Sequence, residues 1–474
     1  MSTTSPQPIS LTHTPQRNVL FISLSFFLVF TGVNSVLVFG TSDYGDYAAI
    51  SLSILYLSFG VSALFIVPSI LNHQLLTPKY CTFLGSLVEI LFVSEYIVFI
   101  NPYYLYCFSI IQGIGASMYW IGSQEYIIRC ANYYELQHNL RKNSQLPTFQ
   151  SRYFSFYEAS TFISNLLSAV LFTLQLSNST VYALFTVICC IGCIFVLFSD
   201  DITTEQMTAM EQQHNETHSL RHNNNYSTFA QHAYSEQSQL IESPVYSTWS
   251  TLKQWTNPRL QCLLWMSIYL GIFIEFEYGV FPTLIAGKSM KFYIMATYGV
   301  SGTVCSKYFA KLSEYVKRSY IVSFGVFLNV LVYLLVFSLS DSADLSVWWL
   351  VLIAVMNGVV ESSLFITLFS LYPMIAGDSP ETLANEQFFQ QLGLAIGYFL
   401  YSVLDFHVKI LFDAACLCVA SLVFFKSNYV QKYINVTSKA EDDLLAIVNA
   451  VEQGIEPIDG NRNERVCVVI DSVQ

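Results

Sequence analysis

Long apolar runs alternate with short polar breaks along this chain, and the run length predicts helices that cross a bilayer. A span needs about 20 apolar residues at 1.5 Å of rise each. Runs fall at roughly 18–40, 47–71, 79–100, 103–128, 150–176 and 180–199, and after a long polar stretch at roughly 259–286, 292–311, 319–338, 346–374, 383–404 and 408–428. They are too long and too evenly apolar for barrel strands, and in lipid a helix satisfies its own backbone. The pattern predicts an all-α membrane protein of twelve transmembrane helices in two six-helix halves. The links Asn101–Pro102 and Ser177–Ser179 are so short that they force antiparallel neighbours.

The polar stretch Asp200–Pro258 organises the rest. It divides the chain into a cytoplasmic N-terminus (1–17), a first bundle (18–199), a central cytoplasmic loop (200–258), a second bundle (259–428) and a cytoplasmic tail (429–474). The loop is rich in Gln, His, Asn, Ser and Thr without an apolar period, and reads as a mobile tether between two rigid halves. His214, His218 and His222 recur at helical spacing, but beside Asn223–Asn225 they read as disordered chain, not as a metal site.

Composition agrees with the membrane class. The 474 residues are 53% hydrophobic and only 11% charged, against roughly 25% charged in soluble domains. The net charge of −12 is concentrated in the two polar segments: Asp200–Pro258 holds seven acids and two bases, and Tyr429–Gln474 eight acids and four bases. Acidity here describes solvated connectors, not a substrate. No basic patch suggests nucleic acid. The eleven cysteines, including Cys190 and Cys193, read as small packing groups, since nothing is spaced to complete a metal or redox site. No phosphate loop, nucleophile triad or cofactor motif is present, so an enzyme is not expected.

Orientation follows from Lys and Arg. With the N-terminus inside, eighteen fall on the cytoplasmic side and three, Lys288, Lys291 and Lys409, outside, which is the positive-inside asymmetry. Both termini are then cytoplasmic. Met1–Gln16 carries no Lys or Arg and the first run is too long for a cleavable signal, so Asn18–Gly40 reads as an uncleaved span. Of the sequons at Asn178, Asn215, Asn225 and Asn435, only Asn178 lies outside, on a loop tight against the membrane, so little or no glycosylation is expected. Glu441–Leu445 resembles an acidic dileucine sorting signal, or else begins a short amphipathic helix.

Ionisable residues inside spans are costly and mark sites or partners. Glu361 sits mid-span, with Asn357 one turn earlier on the same face. Glu275 and Glu277 lie about 200° apart on a helix, so one cavity takes only one of them; Glu275, in line with Gly271 and Tyr278, is expected inward. Glu89 and Glu158 are further interior acids. Ser109, Gln112, Ala116, Tyr119 and Ser123 form a polar stripe in the fourth run with Trp120 beside it, and Thr31, Asn34 and Ser35 share a face of the first. Glu125 and Arg129 read as a neutralised i,i+4 pair. All these polar groups have a plainer alternative role, linking helices at roughly 1 kcal/mol each.

Two such halves around a long loop resemble the major facilitator superfamily. Several stretches also resemble the unc-93-like (uncoordinated-93) family: NVLFISLSFFLVFTGVNS (Asn18–Ser35), the Ser58-Phe59 and Pro68 positions of the second run, QGIGASMYWIG (Gln112–Gly122), Gly358 with Glu361, Tyr372-Pro373, Gln390 and Gly393. Departures from the family pattern include Ser123-Gln124, Glu158, and Phe365, Ile366 and Thr367 after the acid of the tenth run. The resemblance implies one of two roles. The first is a solute carrier working by alternating access, with Glu361, Glu275, Asn357, Asn34, Gln112, Tyr119 and Trp120 lining a proton- or cation-linked site for a small solute. The second is a non-transporting regulatory subunit or trafficking chaperone for an ion channel or receptor. Whether Phe365 and its neighbours plug the interior separates an open site from a lost one.

Overall fold

A computed structural model describes residues 13–97, 102–138, 140, 145–203, 206–207, 248–313, 315–340, 346–376 and 380–434. The histidine repeat, the loop sequons and the dileucine segment lie outside the described residues. Among the described residues all regular structure is helical. The long helices before the central loop are α1 (Pro15–Tyr44), α2 (Asp46–Phe65) continued by α3 (Val67–Asn72), α4 (Pro78–Glu95), α5 (Pro102–Gln137), α6 (Leu146–Thr173) and α7 (Asn178–Leu197). After it come a short α8 (Thr248–Lys253), then α9 (Pro258–Glu275), α10 (Lys288–Leu312), α11 (Arg318–Leu339), α12 (Val347–Ala376), α13 (Pro380–Val403), α14 (Phe406–Lys426) and α15 (Asn428–Ile434).

Among the described residues seven segments are long and apolar enough to cross a membrane: Pro15–Gly40, Asp46–Leu71, Asn178–Leu197, Pro258–Leu284, Arg318–Leu339, Val347–Phe369 and Phe406–Lys426. The chain is therefore a multi-pass helical membrane protein. Helices α4, α5, α6, α10 and α13 coincide with predicted spans but carry more polar side chains. The reason is where those side chains go. On α6, Ser160, Thr161, Ser164, Asn165 and Ser168 are all buried against other helices, where hydroxyls and amides can pair away from lipid.

Helix α1 packs on α6 and α7, α4 on α5 and α7, and α2 on α5; later in the chain α9 packs on α13 and α14, and α12 on α10 and α11. Two seams join these sets, α6 with α10 and α2 with α13. The first seam is close because Gly299 has no side chain: a Cβ there would lie 2.5 Å from the Phe162 backbone nitrogen. The second is tied by Ser53, whose hydroxyl donates to the Ala395 carbonyl at 2.8 Å.

Helix α9 does not end cleanly. A π-helical stretch, Phe276–Val280, follows Glu275, and a 3₁₀ turn, Phe281–Leu284, follows that. Pro282 has no N–H to continue an α-helix, and π segments rotate the residues beyond them relative to α-helical register.

The interior of the central loop lies outside the described residues, and both its ends are held by side-chain contacts. The Asp200 carboxylate accepts from the backbone N–H of His13 (2.7 Å) and the Asn18 amide (3.2 Å), while the Tyr126 hydroxyl donates to the Asp200 carbonyl at 2.6 Å. At the other end the Trp255 indole donates to Asn385 Oδ1 at 2.6 Å and its ring stacks on Phe388. Asn178 is the first residue of α7, and its side-chain oxygen accepts from Lys288 at 3.1 Å, so the sequon begins inside a helical turn.

Candidate functional site

The buried acids converge on α10. Its Tyr298 hydroxyl meets Glu277 Oε2 at 2.6 Å and also the Glu361 carboxylate, and both acids are buried. A hydroxyl carries one hydrogen, so it donates to one carboxylate only; the second contact requires a hydrogen on the carboxyl side. One turn further along α10, a Cβ on Gly302 would come within 3.0 Å of Glu158 Oε2, which places this α6 acid across the seam from Tyr298. The same turn is tied to α12 by Ser362, whose hydroxyl donates to the Gly302 carbonyl at 2.9 Å. Glu158 and Glu361 lie within electrostatic reach of each other. Among the described residues none of the three acids has a cationic partner.

Around this centre the groups from the sequence fall into distinct places. Asn357, 1% exposed and one turn from Glu361, has an amide with no hydrogen-bond partner among the described residues. Asn34 links α1 to α6 by donating to Thr161 Oγ1 at 3.0 Å and Ser160 Oγ at 3.2 Å, and Thr161 in turn meets the Tyr278 hydroxyl at 3.3 Å. Gln112 lies elsewhere, donating to Glu89 between α5 and α4 at 2.5 Å. Tyr119 pairs with Ser25 at 3.0 Å. Trp120 bridges these regions, edge-on to Phe26, Phe30 and Tyr157. Gln112 and Tyr119 are thus interior to the first set of helices rather than part of the acid centre.

Glu275 corrects the sequence expectation. It does not join Glu361; Glu277 does. Glu275 Oε2 accepts from the Lys409 ammonium of α14 at 2.7 Å, and the same ammonium meets both oxygens of Asp413, at 2.7 and 2.8 Å. The two glutamates do face opposite ways, as helical spacing requires, but the ion pair decides which faces where. Lys409 is correspondingly not a solvated flank residue, since it is 1% exposed. The signal was present in the sequence as Lys409-x-x-x-Asp413, an i,i+4 ion-pair spacing at the edge of an apolar run.

Aromatic layers stand on either side of the acids along α6. Phe154 packs on Phe365 and Phe369 of α12, with ring centroids 5.2 and 4.4 Å away. Phe172 stacks between Phe39 and Phe292, with the Lys288 ammonium 4.1 Å from the Phe39 centroid. Phe365 therefore closes a layer beside the acid centre without displacing the acids. The pair expected of Glu125 and Arg129 is present at 3.0 Å.

Residues 40–438 match the model of a family described as "Ion channel regulatory protein UNC-93". The chain is 25% identical over 409 residues to the Caenorhabditis elegans "Putative potassium channel regulatory protein unc-93", covering 81% of this chain and 56% of that protein. It is 23% identical over 438 residues to the human "Protein unc-93 homolog A", covering 83% of this chain and 89% of the human protein. The match thus spans just over half of the worm relative and most of the human one. Among solved structures, a POT family transporter in complex with a thioalcohol-conjugated peptide aligns with a TM-score of 0.60 at 11% identity, over 86% of this chain and 94% of that one. A point mutant of the nucleoside transporter NupG aligns at 0.55 and 14%, over 86% and 99%. These structures are alike in fold.

Proposed function

The chain belongs to the UNC-93 family, and from that premise and its transporter-like fold we propose that it is a facilitator-type carrier coupling a small solute to protons by alternating access. It crosses the membrane twelve times in this reading, α2 and α3 forming one span, with both termini in the cytoplasm. The two sets of helices rock about the acid centre between the aromatic layers. Glu277, Glu361 and Tyr298 hold the exchangeable proton, Glu158 faces them across the seam, and Asn357 and Asn34 line the solute side.

The single observation that carries the reading is one tyrosine hydroxyl in contact with two buried carboxyls that have no cationic partner among the described residues. The test is uptake into proteoliposomes under an imposed pH gradient, using a panel of radiolabelled small solutes. Wild-type protein should accumulate a solute, and Glu361→Gln should lower that uptake roughly tenfold or more. Wild-type uptake by Glu158→Gln, Glu277→Gln and Glu361→Gln would remove the acids from the mechanism.

The family description favours a second reading, a regulatory subunit of a potassium or other ion channel. Proximity labelling in cells should then recover a stable channel partner, with the acid variants recovering it as well as wild type.

A further inference from the structure

The cluster on α14 has an unbalanced charge. Lys409 contributes one positive charge, and Glu275 and Asp413 two negative ones, all at 1% exposure or less. A surplus charge in this setting is strongly unfavourable if left uncompensated. Hydrogen-bond counting locates it. An ammonium has three hydrogens, and Lys409 makes three contacts, to Glu275 Oε2 and to both oxygens of Asp413. Glu275 Oε1 is the carboxylate oxygen of the cluster left without a partner.

A second unpartnered group borders the same spot. Tyr398 of α13 is fully buried and its hydroxyl has no partner among the described residues. A Cβ on Gly279 would lie 3.0 Å from Glu275 Oε1 and 3.1 Å from Tyr398 Cε1. The carboxylate oxygen and the hydroxyl end of the Tyr398 ring therefore both border residue 279 of the π stretch, where a side chain would crowd them. From the other packed elements, Tyr401 of α13 is in electrostatic reach of Glu275, Tyr56 of α2 stacks on Tyr398, and Tyr333 of α11 and Tyr269 of α9 face Asp413. Lys409 is the cation at this cluster, and it is fully committed.

We infer that the niche between Glu275 Oε1, Tyr398 Oη and Gly279 is a binding site for one monovalent positive charge, separate from the Tyr298 centre. The charge arrives as a proton or as an alkali-metal ion, and both neutralise the same oxygen. Neutralising either acid removes the surplus, so Asp413→Asn should abolish the demand for the ligand even though Glu275 is untouched.

The experiment follows thermal unfolding of the purified full-length protein in detergent, so that no transport is required. One arm titrates NaCl or KCl against choline chloride at constant ionic strength and pH. The other varies pH in choline chloride. If an alkali ion binds, the unfolding temperature of wild type rises by roughly 2 °C per tenfold increase in that ion. Glu275→Gln and Asp413→Asn then lose this rise and Glu125→Gln keeps it. If a proton binds, the salt arm is flat, and the pH arm differs between wild type and both cluster variants but not between wild type and Glu125→Gln, whose carboxylate belongs to the separate Arg129 pair. Tyr398→Phe, which removes only the niche hydroxyl, weakens the response and serves should a charge variant fail to fold. Identical salt and pH responses in wild type, Asp413→Asn and Tyr398→Phe would overturn the site. Loss of solute uptake with an intact stability response would overturn the carrier reading and leave this site standing.

Discussion

Glu275 and Glu277 stand two residues apart, yet they occupy opposite kinds of environment. Glu277 shares a tyrosine with another carboxyl at a place where two sets of helices meet and, among the described residues, no cation is bonded to it. Glu275 sits within one set, held by a buried lysine. The difference teaches that an intramembrane acid is defined by its partner rather than by its depth. A committed ammonium ties one acid to a neighbouring helix, while the other shares a single hydroxyl with a second carboxyl.

The largest expected effect breaks that tie. Lys409→Met leaves two buried carboxylates unpaired and should destabilise the protein by about 3–5 kcal/mol, seen as a lowered unfolding temperature in mild detergent. Adding Glu275→Gln and Asp413→Leu to that variant should recover most of the loss, because removing a whole buried ion cluster is often close to neutral. If Lys409→Met alone unfolds like wild type, the two acids do not differ in the way the structure indicates.

At the other acid the expectation is reversed. Glu277→Gln keeps the shape and leaves no unpaired charge, so stability should change by no more than about 1 kcal/mol, while proton-driven uptake falls. A Glu277→Gln variant that is strongly unstable but still transports would exchange the roles of the two glutamates. Smaller effects sharpen the boundary. Asn34→Ala removes the link from α1 to Thr161 and Ser160 and should cost about 0.6 kcal/mol, the usual size of an interhelical hydrogen bond in a bilayer. Glu125→Gln, in a partly exposed i,i+4 pair, should cost no more than about 0.5 kcal/mol and leave uptake unchanged, a control for charge removal as such.

The sequence carried the helices well because run length and polar breaks are local properties: α12, expected at roughly 346–374, is Val347–Ala376. It also placed Glu361 and Asn357 on one buried face. It missed Tyr298, one tyrosine among 31 with nothing local to set it apart. It assigned Lys409 to the outer surface because the partner that buries it, Glu275, is 134 residues away in the chain. The orientation of Glu275 and Glu277 was likewise illegible, since helical phase gives the angle between two residues but not which of them meets the distant lysine. The loop ends were lost for the same reason: Asn18 and Asn385, which hold Asp200 and Trp255, sit far away in sequence.

Those two moorings have a practical consequence. Asp200 is fastened to α1 and α5, and Trp255 to α13, so each end of the connector belongs to its own set of helices. Severing the chain between them should yield two polypeptides that still recognise one another through the α6–α10 and α2–α13 seams. What the cut removes is mainly the covalent link that raises the effective concentration of one set of helices for the other. Co-expressed fragments ending and beginning between residues 208 and 247 would then reassemble in the membrane, which makes this protein a candidate for split-reporter work.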